Sequence, residues 1–202
     1  MSKELAAQRR KEILAAARRC FSARGFHATG MAHIAKEFGM SAGHIYNYFP
    51  SKNAIIEAIV QEGMEEFYAN HEAFKACQGD YEKLHEHLFN TFNRLFTNER
   101  MCLSLEILSA ASHDPHLQSM LHENDRKVRQ YLREIVGHVD GDDDRLIDAR
   151  VDLMMAQFEG IGLRRLRNPD FDLEMVTMLM AERMAMPRAY LKARLQVLEE
   201  KA

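Results

Sequence analysis

Long apolar runs are absent from this 202-residue chain. No stretch approaches the roughly 18 uninterrupted apolar residues that a membrane-spanning helix requires. The opening segment, Met1 to Lys11, is polar and has no signal-like apolar core. Cysteine is scarce. Cys20, Cys77 and Cys102 share no CxxC or metal-ligand spacing and fall inside helical patterns, so a reduced, cytoplasmic compartment is the simplest setting. Low-complexity tracts are missing too, and with 47% apolar residues the chain can bury a core and stay ordered away from its ends. Length alone allows one or two small domains. Enzyme motifs are also missing: there is no HExxH, Walker A, Rossmann glycine pattern or GxSxG. His85-Glu86-His87 sets its imidazoles two residues apart, on different faces of a helix, and makes a poor chelate. No catalytic residue and no cofactor is expected. A metal-sensing variant would draw on His113, Asp114, His116 and His122.

What is present is a charge imbalance and a run of short helices. Residues 1–52 hold nine Lys/Arg against three acids, a net +6, which leaves 18 basic against 27 acidic residues, a net −9, in 53–202. A basic head on an acidic body fits a protein whose head alone meets a polyanion. In that head, Ile13, Leu14, Ala17 and Phe21 share one helical face, and Gly25 follows as a left-handed cap. Met31, Ile34, Ala35 and Phe38 mark a second helix, with Thr29 or Gly30 at its start and Gly39 at its end. Ser41 caps a third, very short helix over Ala42–Phe49, stopped by Pro50, and Ser51 caps a long helix that begins at Lys52. Two helices joined by a Gly-containing turn of about three residues form a helix-turn-helix, whose second helix enters the major groove. Ile45 and Phe49 would face the small core, leaving His44, Tyr46, Asn47 and Tyr48 outward for phosphates and base edges. Gly43 permits close backbone approach, and Lys52 adds a cation at a helix start.

Taken together, Gly25-Phe26, Thr29, Ile34-Ala35, Gly39-Met40-Ser41, Gly43, Ile45-Tyr46, Tyr48-Phe49 and Ser51-Lys52 resemble the N-terminal domain of the tetracycline-repressor (TetR/AcrR) family over roughly residues 9–60. The resemblance implies a homodimeric, ligand-responsive regulator, usually a repressor. It implies DNA contact from Gly30 and Met31, base contact near Ala42, Gly43, His44, Tyr46 and Asn47, and phosphate contact from Tyr48 and Lys52. Gly30 stands where members often carry Thr or Ser, removing a hydroxyl for capping and for phosphate. Ala32 stands where some carry a base-reading Arg.

Beyond residue 52 the pattern is helical throughout, with no strand alternation or hairpin signal, so the chain reads as all-α: a helix-turn-helix domain over 1–52 and a helical ligand-binding and dimerisation domain over 53–202. Helices are expected at 52–76, from Leu84 through Phe96, over Met101–Ser112, over His116–His138, and at about 143–166 and 171–197, with an acidic loop at Asp140–Asp144. The last two are apolar over more than one core-facing stripe, and a second copy of the same pair is the economical cover. Such a dimer would read a pseudo-palindromic operator. The resemblance puts a small-molecule pocket among residues 53–166, with lining candidates Phe67, Phe92, Phe96, Met101, Leu105, Met154, Met155 and Phe158 and polar candidates Asn93, Asn124, Gln157 and Glu159. Each apolar one suits plain core equally well. Glu159 needs a partner if buried, and Arg164 could be that partner. Double-stranded DNA and an unidentified inducer are the expected partners, with no membrane. The alternatives are a DNA-binding activator, a nucleoid- or divisome-type relative without an inducer, and, further off, a helical protein-interaction module.

Overall fold

The computed structural model describes residues 3–77, 80–136 and 144–185. Among these residues every regular element is an α-helix, in the order α1 (Lys3–Arg24), α2 (Met31–Phe38), α3 (Ala42–Tyr46), α4 (Lys52–Ala76), α5 (Tyr81–Leu95), α6 (Asn98–Ala111), α7 (Pro115–Val136), α8 (Asp144–Arg167) and α9 (Leu173–Ala185). The all-α class expected from the sequence is what is found.

Several ends differ from expectation for local reasons. Helix α3 stops at Tyr46, three residues short of Phe49. Pro50 disfavours helical backbone at the residue before it, and the chain closes through Tyr48 N–H to Ile45 O (2.9 Å) and Phe49 N–H to Ile45 O (3.0 Å). Helix α6 begins at Asn98 because Thr97 caps it, accepting from Arg100 N–H at 3.3 Å. Helix α7 begins at Pro115, whose missing N–H costs nothing in a first turn, while Asp114 Oδ1 accepts from His116 and Leu117 N–H at 2.9 and 3.2 Å. The expected acidic loop at 140–143 and the expected helix beyond residue 185 lie outside the described residues.

The chain packs as two compact units. The first takes in residues up to Tyr68 together with Thr97–Lys127. Its core joins Ile13, Leu14, Ala17 and Phe21 of α1, Ile34 and Ala35 of α2, Ile45 and Phe49 at α3, Ile55, Ile56 and Ile59 of α4, Leu103, Ala110 and Ala111 of α6, and Leu117 of α7. Helices of eight and five residues are far below the length that sustains itself in water. Burial of Ile34, Ile45 and Phe49, each 0% exposed, holds them at about 1.5–3 kcal/mol per side chain.

The second unit takes in Ala69–Phe96 and the chain from Val128 onward. Leu84, Leu88 and Phe92 of α5 pack with Phe74, Ile161, Leu173 and Ala181. Arg165 of α8 donates to the Phe92 carbonyl at 2.9 Å. Between α7 and α8, Arg133 pairs with Asp144 (2.7 Å) and Asp148, and Arg129 pairs with Asp152. Helices α4 and α7 each run through both units, so the two units do not divide at Lys52.

Candidate nucleic-acid interface

The segment Phe26–Lys52 is built around two glycine-punctuated helix ends. Gly25 has φ +81°, where a side chain would be strained, and ends α1 with its N–H on the Phe21 carbonyl at 2.9 Å. Thr29 then turns inward. It is 1% exposed, and its hydroxyl proton is shared between the Gly25 carbonyl at 2.8 Å and the Cys20 carbonyl at 3.2 Å. Gly30 is therefore the residue that starts α2. It has no side chain to cap with, and the cap comes from the other direction: its N–H donates to His33 Nδ1 at 3.1 Å, half of a capping box. That bond requires the tautomer protonated on Nε2.

Gly39 closes α2 in the left-handed region, φ 81°, with Met40 N–H reaching back to the Ala35 carbonyl at 2.9 Å, a Schellman turn. Ser41 caps α3, accepting from His44 N–H at 3.3 Å. Three residues, Gly39, Met40 and Ser41, thus separate the end of one helix from the start of the next, and the apolar face of both is fixed by Ile34, Ala35 and Ile45.

The face singled out in the sequence is outward only in part, and Tyr48, expected to face outward, packs against the core. Tyr46 is 52% exposed although it is a large ring. Gly30, Gly43 and Asn47 are exposed, and Met31, Ala42, His44, Tyr48 and Lys52 are half-buried. Met31, Ala42 and Tyr48 also pack against the core. His44 and Tyr48, four apart, bring their rings to 5.7 Å. A Cβ placed on Gly43 would meet nothing within 4 Å, so no internal contact demands glycine there.

Cations around this face are tethered. Arg10 donates to the Tyr48 carbonyl at 3.0 Å and sits 4.1 Å over the Phe49 ring. Arg19 pairs with Glu37 at 2.8 Å, and Arg18 with Glu62 of α4 at 2.7 Å. Lys52 donates to the Phe26 carbonyl at 2.7 Å with its ammonium 4.0 Å from the Phe26 ring centroid, and burial pushes its pKa below the usual lysine value. On the other side of that same residue, Phe26 N–H donates to Glu106 Oε2 of α6 at 2.7 Å. Sequence reasoning missed Glu106, Arg10 and the inward turn of Thr29. Glu106 stands 80 positions from Phe26, beyond any local spacing signal.

The pocket candidates divide between the units. In the second, Phe92 meets Phe96 and Phe158 with centroids 5.0 and 4.9 Å apart. Met154 is buried, Met155 and Gln157 are half-buried, and Asn93 and Glu159 are exposed. The Glu159 carboxylate therefore needs no internal partner. Asn93 accepts from Arg165 at 3.2 Å. In the first unit, Met101 is buried, Phe67 and Asn124 are half-buried, and Leu105 is 41% exposed. A surface cleft of about 410 Å³ opens in the second unit beside α5, lined among others by Asn70, Cys77, His87, Asn90, Thr91 and Arg94. None of these belongs to the sequence-derived set. Among the described residues no group of three or more His, Cys, Asp or Glu is gathered to hold a metal ion, and no helix is long and apolar enough to cross a membrane.

Comparison with known proteins places this geometry. Residues 13–59 match the family model described as bacterial regulatory proteins, tetR family. Residues 75–186 match that of the C-terminal part of the BetI-type transcriptional repressor. Among curated relatives, the HTH-type transcriptional regulator UidR of Escherichia coli K12 is 29% identical over 129 residues, 62% of this chain and 63% of the relative, so less than two thirds of that relative's length is covered. The HTH-type transcriptional repressor Rv1474c of Mycobacterium tuberculosis is 35% identical over 69 residues, 34% of this chain and 37% of the relative. Among solved structures, Salmonella enterica GusR superposes with a TM-score of 0.69 at 25% identity, covering 92% of this chain and 98% of that one.

Proposed function

The chain belongs to the TetR family of bacterial regulatory proteins, and on that premise we propose that it is a DNA-binding transcriptional repressor, released from a pseudo-palindromic operator by a small molecule. The observation that carries the proposal is the recognition face. Helix α3, which follows a Gly39-capped α2 after a three-residue turn, buries Ile45 and keeps the Tyr46 ring 52% exposed. A tyrosine left half-exposed on a core-anchored helix is available to a partner, and its hydroxyl is suited to a base edge or a phosphate oxygen.

In this reading residues 1–52 are the DNA-binding domain. Gly30 and Met31 approach the duplex from the start of α2. Ala42, Gly43, His44, Tyr46 and Asn47 lie against base edges, and Tyr48 and Lys52 against phosphates, Lys52 through the two ammonium protons that the Phe26 carbonyl leaves over. Residues 53–202 form the ligand-binding and dimerisation domain. Support for the dimer is the apolar surface exposed on the last two described helices: Leu146 and Leu153 of α8, and Met175 and Leu179 of α9, between 44% and 55% exposed. Second copies of α8 and α9 would cover it, and two-fold symmetry would set two α3 helices about 34–36 Å apart, one duplex turn. Support for a pocket is the Phe92, Phe96 and Phe158 cluster, which offers an apolar ligand an aromatic wall. A ligand that prefers the form with weaker DNA affinity lowers that affinity by the same coupling factor, with the dimer intact. A DNA-bound regulator with three unpaired cysteines belongs in the cytoplasm.

The test is duplex selection from a random-sequence pool by the full-length chain, followed by gel shifts of the selected duplex at two salt concentrations. Wild type should bind tightly and salt-sensitively, and Tyr46→Ala should lose at least tenfold in affinity with an unchanged melting temperature. Selection of no duplex by a folded protein would sink the proposal.

A further inference from the structure

One peptide unit in the turn between α1 and α2 is gripped from both sides. The Phe26 N–H donates to Glu106 Oε2 of α6, and the Phe26 carbonyl accepts from Lys52 Nζ at the head of α4, each at 2.7 Å. Both bonds have a charged partner, which is the short, strong class of hydrogen bond. The Glu106 carboxylate is also seated closely. A Cβ on Gly25 would come within 3.1 Å of the same Oε2, so a side chain there would push the carboxylate back by a few tenths of an ångström. Phe26 itself is 6% exposed and Thr29 1%. Between Thr29 and α2 there is only Gly30, whose N–H is held by the His33 ring and which has no side chain to anchor it.

The sign of the charge limits what Glu106 can do. A carboxylate does not contact a phosphate backbone, and on a chain that approaches DNA a negative charge works against binding. Yet it holds the turn from which the recognition helices depend.

We infer that Glu106 is a positioning residue for DNA binding: with Lys52 it fixes the Phe26 peptide, and so the start of α2, in the pose that presents Gly30, Met31 and α3. This rests on the proposal that α2 and α3 form the DNA-binding element. Without the Glu106 acceptor the buried Phe26 N–H loses its partner, the turn over residues 25–30 gains freedom, and order must be restored each time DNA is bound.

The experiment compares Glu106→Ala, Glu106→Asp and Glu106→Gln in the full-length chain, on the duplex that wild type selects from a random pool. Affinity is measured over a range of salt, with melting temperature alongside. Gln keeps an acceptor oxygen at the same reach and removes the charge. Asp keeps the charge and withdraws it by one methylene. The expected pattern is a loss of roughly tenfold in affinity for Ala and Asp, the size of one lost charge-assisted hydrogen bond. The salt slope should match wild type because no phosphate contact is lost, and Gln should bind close to wild type.

Three other patterns would overturn the inference. Tighter binding by both Ala and Gln with Asp unchanged would mean that Glu106 acts only as a charge. Lower melting temperatures with unchanged affinity of the folded protein would mean that it acts only in stability. Affinities all equal to wild type would mean that the grip is idle. If Ala does not fold, the Asp and Gln pair decides alone. Wild type selecting no duplex would bring down the DNA-binding proposal and this inference with it, whereas wild-type binding with unmoved variants brings down this inference only.

Discussion

Gly39 and Gly43 sit four positions apart, and the reasons for glycine at each are opposite. At Gly39 the backbone itself asks for it: φ is +81°, a region that costs a residue with a Cβ about 1–2 kcal/mol. At Gly43 the backbone is ordinary helix and a Cβ would touch nothing, so alanine should improve the helix by up to about 1 kcal/mol. The only thing a methyl could obstruct is a partner arriving from outside. Gly43→Ala is thus expected to melt no lower than wild type and to bind the selected duplex several-fold more weakly. Unimpaired binding would remove Gly43 from the interface. Local signals of this kind made much of the face legible in the sequence: the Gly39 cap, the Ser41 cap and the spacing of Ile45 against Tyr46 all act within a few residues. Nothing local announces that Glu106 reaches Phe26 or that Lys52 has turned toward a carbonyl. Those roles are created by packing.

At the scale of elements, helices were readable and their ends less so. The long amphipathic runs of α4 and α5 follow from their periodicity. The early start of α6 needed the Thr97 cap to be recognised, and the early stop of α3 needed the restraint of Pro50 on Phe49 to outweigh an aromatic run that reads as helix. Helix α5 carries a consequence of its fit. His87 packs its ring 5.8 Å from Phe74 and lies 3.5 Å from the Thr91 hydroxyl. Burial first, and then Arg94, push its pKa below the ordinary 6.5. As pH falls through about 6.5 the unfolded chain takes up a proton that the folded chain still refuses, so stability contributed by neutral His87 is lost from there down through the lowered folded value. The drop in melting temperature between pH 7.5 and pH 5 should therefore be smaller in His87→Gln than in wild type. An equal drop in the two would show that α5 tolerates the charged imidazole.

For the whole molecule, the two clusters of buried residues share no member, and the dimer face proposed for α8 and α9 rests on excess apolarity in those helices. Its strongest markers, Leu153 and Leu179, are 49% and 55% exposed. Leu153→Glu combined with Leu179→Glu should convert a dimer into monomers in sedimentation, since like carboxylates would face each other across the two-fold axis, and operator binding should weaken as the paired half-site contacts separate. A double variant that stays dimeric would move the interface elsewhere. The proposed pocket is the part least legible in the sequence, because Phe and Met at helical spacing look the same whether they line a cavity or fill a core. Finally, a recognition helix of five residues has no existence apart from the core beneath it. A genetic screen for loss of DNA binding should therefore return Ile34, Ile45 and Phe49 alongside Tyr46, and a geneticist reading that map without the fold would take buried supports for contact residues.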